Sequence, residues 1–151
     1  MTDDIALWWG VKASLVDYVL TMGEGRIVAD HESVAPDGSR VFGFAAEPAE
    51  PLRFRGDLRF VAHGGMLDVR LRDPRAELGD SPALTADRVS HLEQASRLRI
   101  ADLVRSADDS SWPGFVRFGA TLTAEATALF DGMYPRGSEL APVWIASSAA
   151  G

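Results

Sequence analysis

The sequence contains no cysteine among its 151 residues, which removes disulfides, thiolate metal sites and thiol catalysis together. It also lacks a basic surplus. Against 22 Asp and Glu there are only 15 Lys and Arg, a formal charge of −7 with a pI near 4.9, and such a chain is poorly suited to phosphate backbones or anionic lipid. Nucleic acid and membrane surfaces are therefore not expected partners. No apolar run approaches the roughly 20 residues that span a bilayer. The opening MTDDIALWWG carries two acids where a signal peptide has a basic region, so a cytoplasmic location is the expectation. The familiar catalytic signatures are missing too: no G-x-S-x-G, no P-loop, no dinucleotide glycine motif and no H-E-x-x-H. His31, His63 and His91 do not have the short spacing of a zinc site.

What is present is a soluble globular profile, 46% apolar and 25% charged, with no internal repeat and no linker, so residues 1–151 read as one domain. The first element is a helix over residues 6–21, capped by Asp3 or Asp4 and stopped at Gly23 and Gly25. On it Val11, Ser14, Leu15, Tyr18 and Met22 recur at spacings of three and four and share one face. Tyr18 puts an ionisable phenol on that stripe, with Ser14 one turn below, and a phenol in apolar surroundings needs a hydrogen-bond partner. A core tyrosine bonded to a backbone carbonyl is the plainer reading of the helix by itself.

After the helix the pattern turns to period two. Residues 26–31 and 40–45 read as strands around the turn Pro36-Asp37-Gly38. The clearest hairpin spans residues 52–72. Leu52, Phe54, Leu58, Phe60 and Ala62 fall on one side, and Arg53, Arg55, Asp57, Arg59, Val61 and His63 on the other. Gly64-Gly65 turns the chain with positive φ, and Leu67, Val69 and Leu71 alternate on the return. The arginine side, which includes Arg70 and Arg72, reads as a solvated sheet face paired with Asp57 and Asp68 rather than as a carboxylate-binding site. Further strands are expected at 76–78, 83–89, 97–103, 115–122 and 141–146. Thr123 caps a short helix over 124–130, residues 106–113 form a polar loop, and the SSAAG tail is loose. The fold class expected is α+β: mostly antiparallel sheet with a long N-terminal helix and a short C-terminal helix.

Three segments carry a resemblance. Trp9-Gly10-Val11-Lys12 with Ser14-Leu15 and Tyr18 resembles the N-terminal motif of the HtaA domain, the haem-binding module of bacterial haem-uptake proteins. The run from Gly56 through Ala62-His63-Gly64-Gly65 to Asp73-Pro74 resembles its central hairpin. Ala120 to Glu125, with Phe130, Tyr134, Gly137, Leu140 and Pro142-Val143, resembles its C-terminal part. The likeness runs in order from about residue 7 to residue 146, and the His-Gly-Gly hairpin is its most specific stretch.

The resemblance implies a haem-binding protein. Tyr18 would be the axial iron ligand, His63 would hydrogen-bond the ligating phenolate, Ser14 would lie beside the haem and Tyr134 would line the pocket. Val11, Leu15, Met22 and Met133 would face the porphyrin. It implies a b-type ferric haem, since phenolate suits hard ferric iron, and haem carriage, storage or transfer, with a haem donor or acceptor protein as partner, rather than oxygen activation. Two other readings use the same residues. In one the Tyr/His pocket serves an enzyme or takes another hydrophobic ligand, with Tyr18, His63 and Tyr134 in proton transfer. In the other the pocket is filled, and Trp8 or Trp112 forms the interface of a homodimer.

Overall fold

A computed structural model describes residues 4–22, 24–90, 92, 94–106 and 112–150. Eleven strands make up most of it: β1 (Ile5–Trp9), β2 (Arg26–Ala29), β3 (His31–Val34), β4 (Arg40–Glu47), β5 (Glu50–Arg55), β6 (Asp57–Ala62), β7 (Leu67–Glu77), β8 (Ala83–Val89), β9 (Ala95–Arg105), β10 (Phe115–Leu122) and β11 (Glu139–Ala146). The helices are short: α1 (Ala13–Thr21) and α2 (Ser147–Ala150), with 3-10 turns at His63–Gly65 and Thr127–Phe130. Pairing runs β7-β5-β4-β1-β11-β10-β9-β8 and returns from β8 to β7, which closes an eight-stranded antiparallel barrel. Among the described residues no helix is long and apolar enough to cross a membrane.

The expected α+β class is therefore overturned: this is a β-barrel, and there is no long N-terminal helix. Residues 6–9, expected in the helix, belong to β1, which pairs with β4 on one side and β11 on the other. The reason is burial of both faces. Leu7 and Trp9 point into the barrel core, while Trp8 lies outside against Trp144 and Trp112. A strand covered on both sides is apolar throughout, and a short apolar run carries no period that separates strand from helix. The short C-terminal helix is also corrected. Thr123 caps as expected, its Oγ1 accepting the Ala126 N–H at 3.2 Å, but only the 3-10 turn Thr127–Phe130 follows. The tail expected to be loose winds into α2, anchored by the Ser147 N–H to the Gly114 carbonyl at 2.8 Å.

The barrel interior is filled by side chains, among them Trp9, Phe42, Phe54, Phe60 and Phe130, each no more than 2% exposed. Phe42 and Phe60 meet edge to face. Outside, Trp112 stacks on Trp8 with ring centroids 5.7 Å apart and meets Trp144 edge-on at 5.5 Å. Trp8 and Trp112, the candidates for a dimer interface, thus cover each other.

One wall of the barrel splits. β4 pairs with β5 at Ala45↔Arg55 and Ala46↔Phe54, then the two arms diverge, and one bent strand follows both. β2 runs along β6, the chain bends at Asp30, and β3 runs along β4. α1 packs against β2 and β6. The split is stitched at three residues. Asp30 Oδ2 accepts the Asp57 N–H at 3.2 Å, and Gly56 sits at φ 151, where an added Cβ would come 2.9 Å from the Phe44 ring. Asp73, at a bulge in β7 with φ 49, accepts the Gly56 N–H on its carboxylate at 3.1 Å and donates its own N–H to the Gly56 carbonyl at 3.0 Å. Asp73→Ala should lower unfolding free energy by about 1–3 kcal/mol, because it strips an acceptor from a partly buried amide and puts alanine in a left-handed conformation. Asp73→Asn, which keeps an acceptor and tolerates that backbone, should lose less. Urea unfolding of the two variants checks the order.

On the outer face of the β6–β7 hairpin the arginines are paired, as expected. Arg59 grips Asp68 at 2.9 and 2.7 Å, and Arg70 grips Asp57 at 3.0 and 2.9 Å. The hydrogen bond from Arg70 holds the Asp57 carboxyl below its ordinary value, against a smaller opposing effect of burial. A carboxyl depressed in the folded state contributes stability above its unfolded value near 3.8 that is lost as pH falls through the folded value. Asp57→Asn should therefore be less stable than the parent at pH 7 and converge on it as pH falls below 3.8, as read from urea midpoints.

Candidate functional site

α1 begins at Lys12, an extended N-cap residue whose carbonyl accepts the Leu15 and Val16 N–H groups at 3.0 and 3.1 Å. It buries Leu15, Val16 and Val19, a face rotated from the stripe expected. Val11 and Leu15 are fully buried in the core and Met22 packs partly against it, so Val11 and Leu15 do not face an open pocket. Ser14 is exposed, and Tyr18 sits at the margin of the buried face, 37% exposed. Its ring is held by the helix while its hydroxyl reaches away from it.

The partner of that hydroxyl is His63. Tyr18 Oη and His63 Nε2 share a hydrogen bond, with ring centroids 5.6 Å apart and planes at 54°. His63 follows the end of β6 at φ 55, Gly64 and Gly65 come next at φ 64 and 98, and the Met66 N–H closes the turn on the His63 carbonyl at 3.2 Å. The glycines turn the chain with positive φ as expected, but the connection is longer than the Gly64-Gly65 pair, since the ladder ends at Ala62↔Leu67. Left-handed backbone at three consecutive residues swings the imidazole off the hairpin axis toward α1.

A cleft of about 330 Å³ opens over this pair, lined by Tyr18, His63, Met66, Leu67, Asp131 and Met133. Its other wall comes from the reversal after the 3-10 turn. Phe130 is buried, Asp131 and Gly132 are left-handed at φ 52 and 72, and the Met133 N–H returns to the Phe130 carbonyl at 3.0 Å. Among the described residues four non-glycine residues have positive φ: Val11, His63, Asp73 and Asp131. Two of them line the cleft, and Val11 lies one residue before the N-cap of the helix that carries Tyr18. Such conformations persist only where the surroundings impose them, and they concentrate at working sites.

Of the four residues singled out in the sequence, the structure brings Tyr18 and His63 together and leaves Ser14 and Tyr134 outside this cleft. Ser14 lies one helical turn from Tyr18 on the same side of α1 and lines a neighbouring depression of about 420 Å³ with Lys12 and Glu139. Tyr134 is half-buried, its ring edge-on to Phe130 at 5.5 Å and 4.9 Å below the Lys12 ammonium. His31 is paired opposite Gly43 in β3, away from the cleft, and His91 is outside the described residues. Sequence reasoning missed Asp131 and Leu67 as lining residues. The Asp131-Gly132 dipeptide signalled a turn, but nothing local said which way it faced. Among the described residues no group of three or more His, Asp or Glu is placed to hold a bare metal ion. The arrangement offers one phenol, supported by one imidazole, at an apolar opening.

Solved structures with the same fold include three from Corynebacterium glutamicum. The C-terminal domain of HtaA aligns at TM-score 0.67 with 22% identity, covering 95% of this chain and 96% of that one. The heme binding protein HtaB aligns at 0.69 with 18% identity, covering 93% and 90%. The N-terminal domain of HtaA aligns at 0.66 with 20% identity, covering 97% and 98%. A comparison with functionally curated proteins finds no match. The sequence model of the HtaA family matches residues 4–146, nearly the whole barrel with both halves of the Tyr18–His63 pair, and the chain therefore belongs to the HtaA family.

Proposed function

We propose that this protein binds haem at the Tyr18–His63 cleft, with Tyr18 as the axial ligand and His63 as the group that holds the ligating oxygen. The observation that carries the reading is the hydrogen bond between Tyr18 Oη and His63 Nε2 at an apolar opening. The residues fit the group. A porphyrin brings four equatorial nitrogens to its iron, so the chain has to supply one axial donor and not a cluster, and phenolate is a known axial donor to ferric haem. Tyrosine ordinarily ionises near pH 10. With its proton on Nε2, His63 donates to the phenolate oxygen and stabilises that form, as second-shell partners of metal ligands do. The chain has no cysteine for thioether attachment, so the haem would be of b type, held without a covalent bond. Met66 and Met133, 85% and 47% exposed, give the rim soft apolar contacts. Ser14 and Tyr134 would meet the ligand beyond the cleft, along the same side of α1. The HtaB relative is named a heme binding protein, which supports the assignment.

A phenolate ligand resting on a hydrogen-bonded histidine favours ferric haem and lets go when the oxygen is protonated or the iron reduced. Those are the properties of a carrier or store. Titrating the purified protein with hemin should give a Soret band saturating at one haem per chain, with high-spin ferric features, and dithionite should speed transfer to apomyoglobin. A spectrum indistinguishable from free hemin at every ratio would sink the reading.

A further inference from the structure

The cleft has one acid in its wall. Asp131 lines it beside Met133 and opposite the hairpin tip, and no Lys or Arg is among the lining residues. The side chain is aimed there by a left-handed backbone, φ 52, at the end of the 3-10 turn, whose Thr127 and Ala128 carbonyls receive the Asp131 N–H. At the other end of α1 the charge is mixed: Lys12 lies over the Tyr134 ring, and Asp37 and Glu139 line the depression beside it. The remainder of the lining, Met66, Leu67 and Met133, is apolar. Within the cleft itself a ligand meets one negative group, Asp131, at its hairpin end.

Taking the cleft as the haem site proposed above, we infer that Asp131 is a specificity-determining residue: its carboxylate bars acid substituents from the hairpin end, so the site takes porphyrins whose carboxylates share one edge and rejects those that carry them around the ring. Ferric protoporphyrin IX has two carboxylates on one edge and can turn that edge away from Asp131. Ferric coproporphyrin III carries four, distributed over the ring, and no orientation keeps all of them clear. Like charges a few ångströms apart at a partly solvated surface lower affinity by roughly tenfold or more, and added salt reduces the effect.

The test is a competition between the two porphyrins, followed by the Soret band, in the parent, Asp131→Asn and Asp131→Gly. Asn and Gly both accept left-handed backbone, so the charge is removed without strain in the fold. The parent should prefer protoporphyrin by at least about tenfold, and both variants should bring the ratio near one, mainly by gaining affinity for coproporphyrin. In 0.5 M salt the parent's preference should shrink while the variants barely change. A ratio that stays the same in the variants, with Tyr18-dependent binding intact, would overturn the role of Asp131 and leave the haem reading standing. Absence of Tyr18-dependent binding of either porphyrin would overturn the haem reading itself, and this inference with it.

Discussion

Tyr18→Phe is expected to weaken hemin binding by on the order of a hundredfold or more and to abolish the high-spin phenolate spectrum, while leaving the fold alone. Groups that merely support a metal ligand contribute about 10–100-fold in affinity, so removal of the ligand sets a larger scale. The substitution deletes one oxygen and keeps the ring. Because the side chain is 37% exposed and its hydroxyl bonds to His63 at the cleft, stability should stay within about 1 kcal/mol of the parent. Loss of binding without loss of melting temperature separates ligation from packing. The companion variant is His63→Gly rather than His63→Ala, because φ at this position is 55 and glycine accepts it without strain. That variant should retain a tyrosinate-type spectrum at roughly 10–100-fold weaker affinity, with its binding shifted to higher pH because the phenolate has lost its donor. A Tyr18→Phe protein that bound hemin with the parent's spectrum would remove Tyr18 from the site and take the carrier reading down.

The hairpin of β6 and β7 was legible because its two faces differ: Leu58, Phe60, Val69 and Leu71 point to the core while Arg59, Asp68 and Arg70 form ion pairs outside. Period two survives wherever one face meets water. β1 was not legible for the converse reason, since Trp8 is covered by other tryptophans and Trp9 by the core. The true start of α1 is marked by Gly10, whose added Cβ would come 2.6 Å from the Arg40 carbonyl oxygen, and by left-handed Val11. A β-branched residue gives no hint of positive φ in a sequence. That error misplaced Val11, which lies before the helix and is buried in the core rather than on the face of Tyr18. Barrel closure was hidden as well, since it depends on the long-range pairings β1–β4 and β1–β11. The meeting of Tyr18 and His63, 45 residues apart, was expected only through the family resemblance. The second wall of the cleft, at Asp131, had no signal beyond a turn.

The largest stability effect is expected at Trp9. Its side chain is 1% exposed and its Nε1 donates to the Ala141 carbonyl at 2.9 Å, while the neighbouring Val11 carbonyl accepts the Ala141 N–H at 2.8 Å. Ala141 is thus gripped twice by the segment that leads from β1 into α1. Trp9→Ala should lower unfolding free energy by about 3–5 kcal/mol through lost burial and an unfilled cavity, a fall in melting temperature of roughly 10 °C or more for a chain of this size. Trp9→Phe keeps most of the apolar area and loses one hydrogen bond, so its deficit should be nearer 1–2 kcal/mol. The two effects reach the site through geometry. Trp9 lies three residues before the N-cap-supported turn of α1, so freeing this junction lets the helix shift, and Tyr18 no longer meets His63 at hydrogen-bonding distance. Hemin affinity should therefore fall in Trp9→Ala even at temperatures where the variant is fully folded, and recover in Trp9→Phe. A Trp9→Ala protein that melts within two or three degrees of the parent would mean that the junction between β1 and α1 is held by something other than this indole.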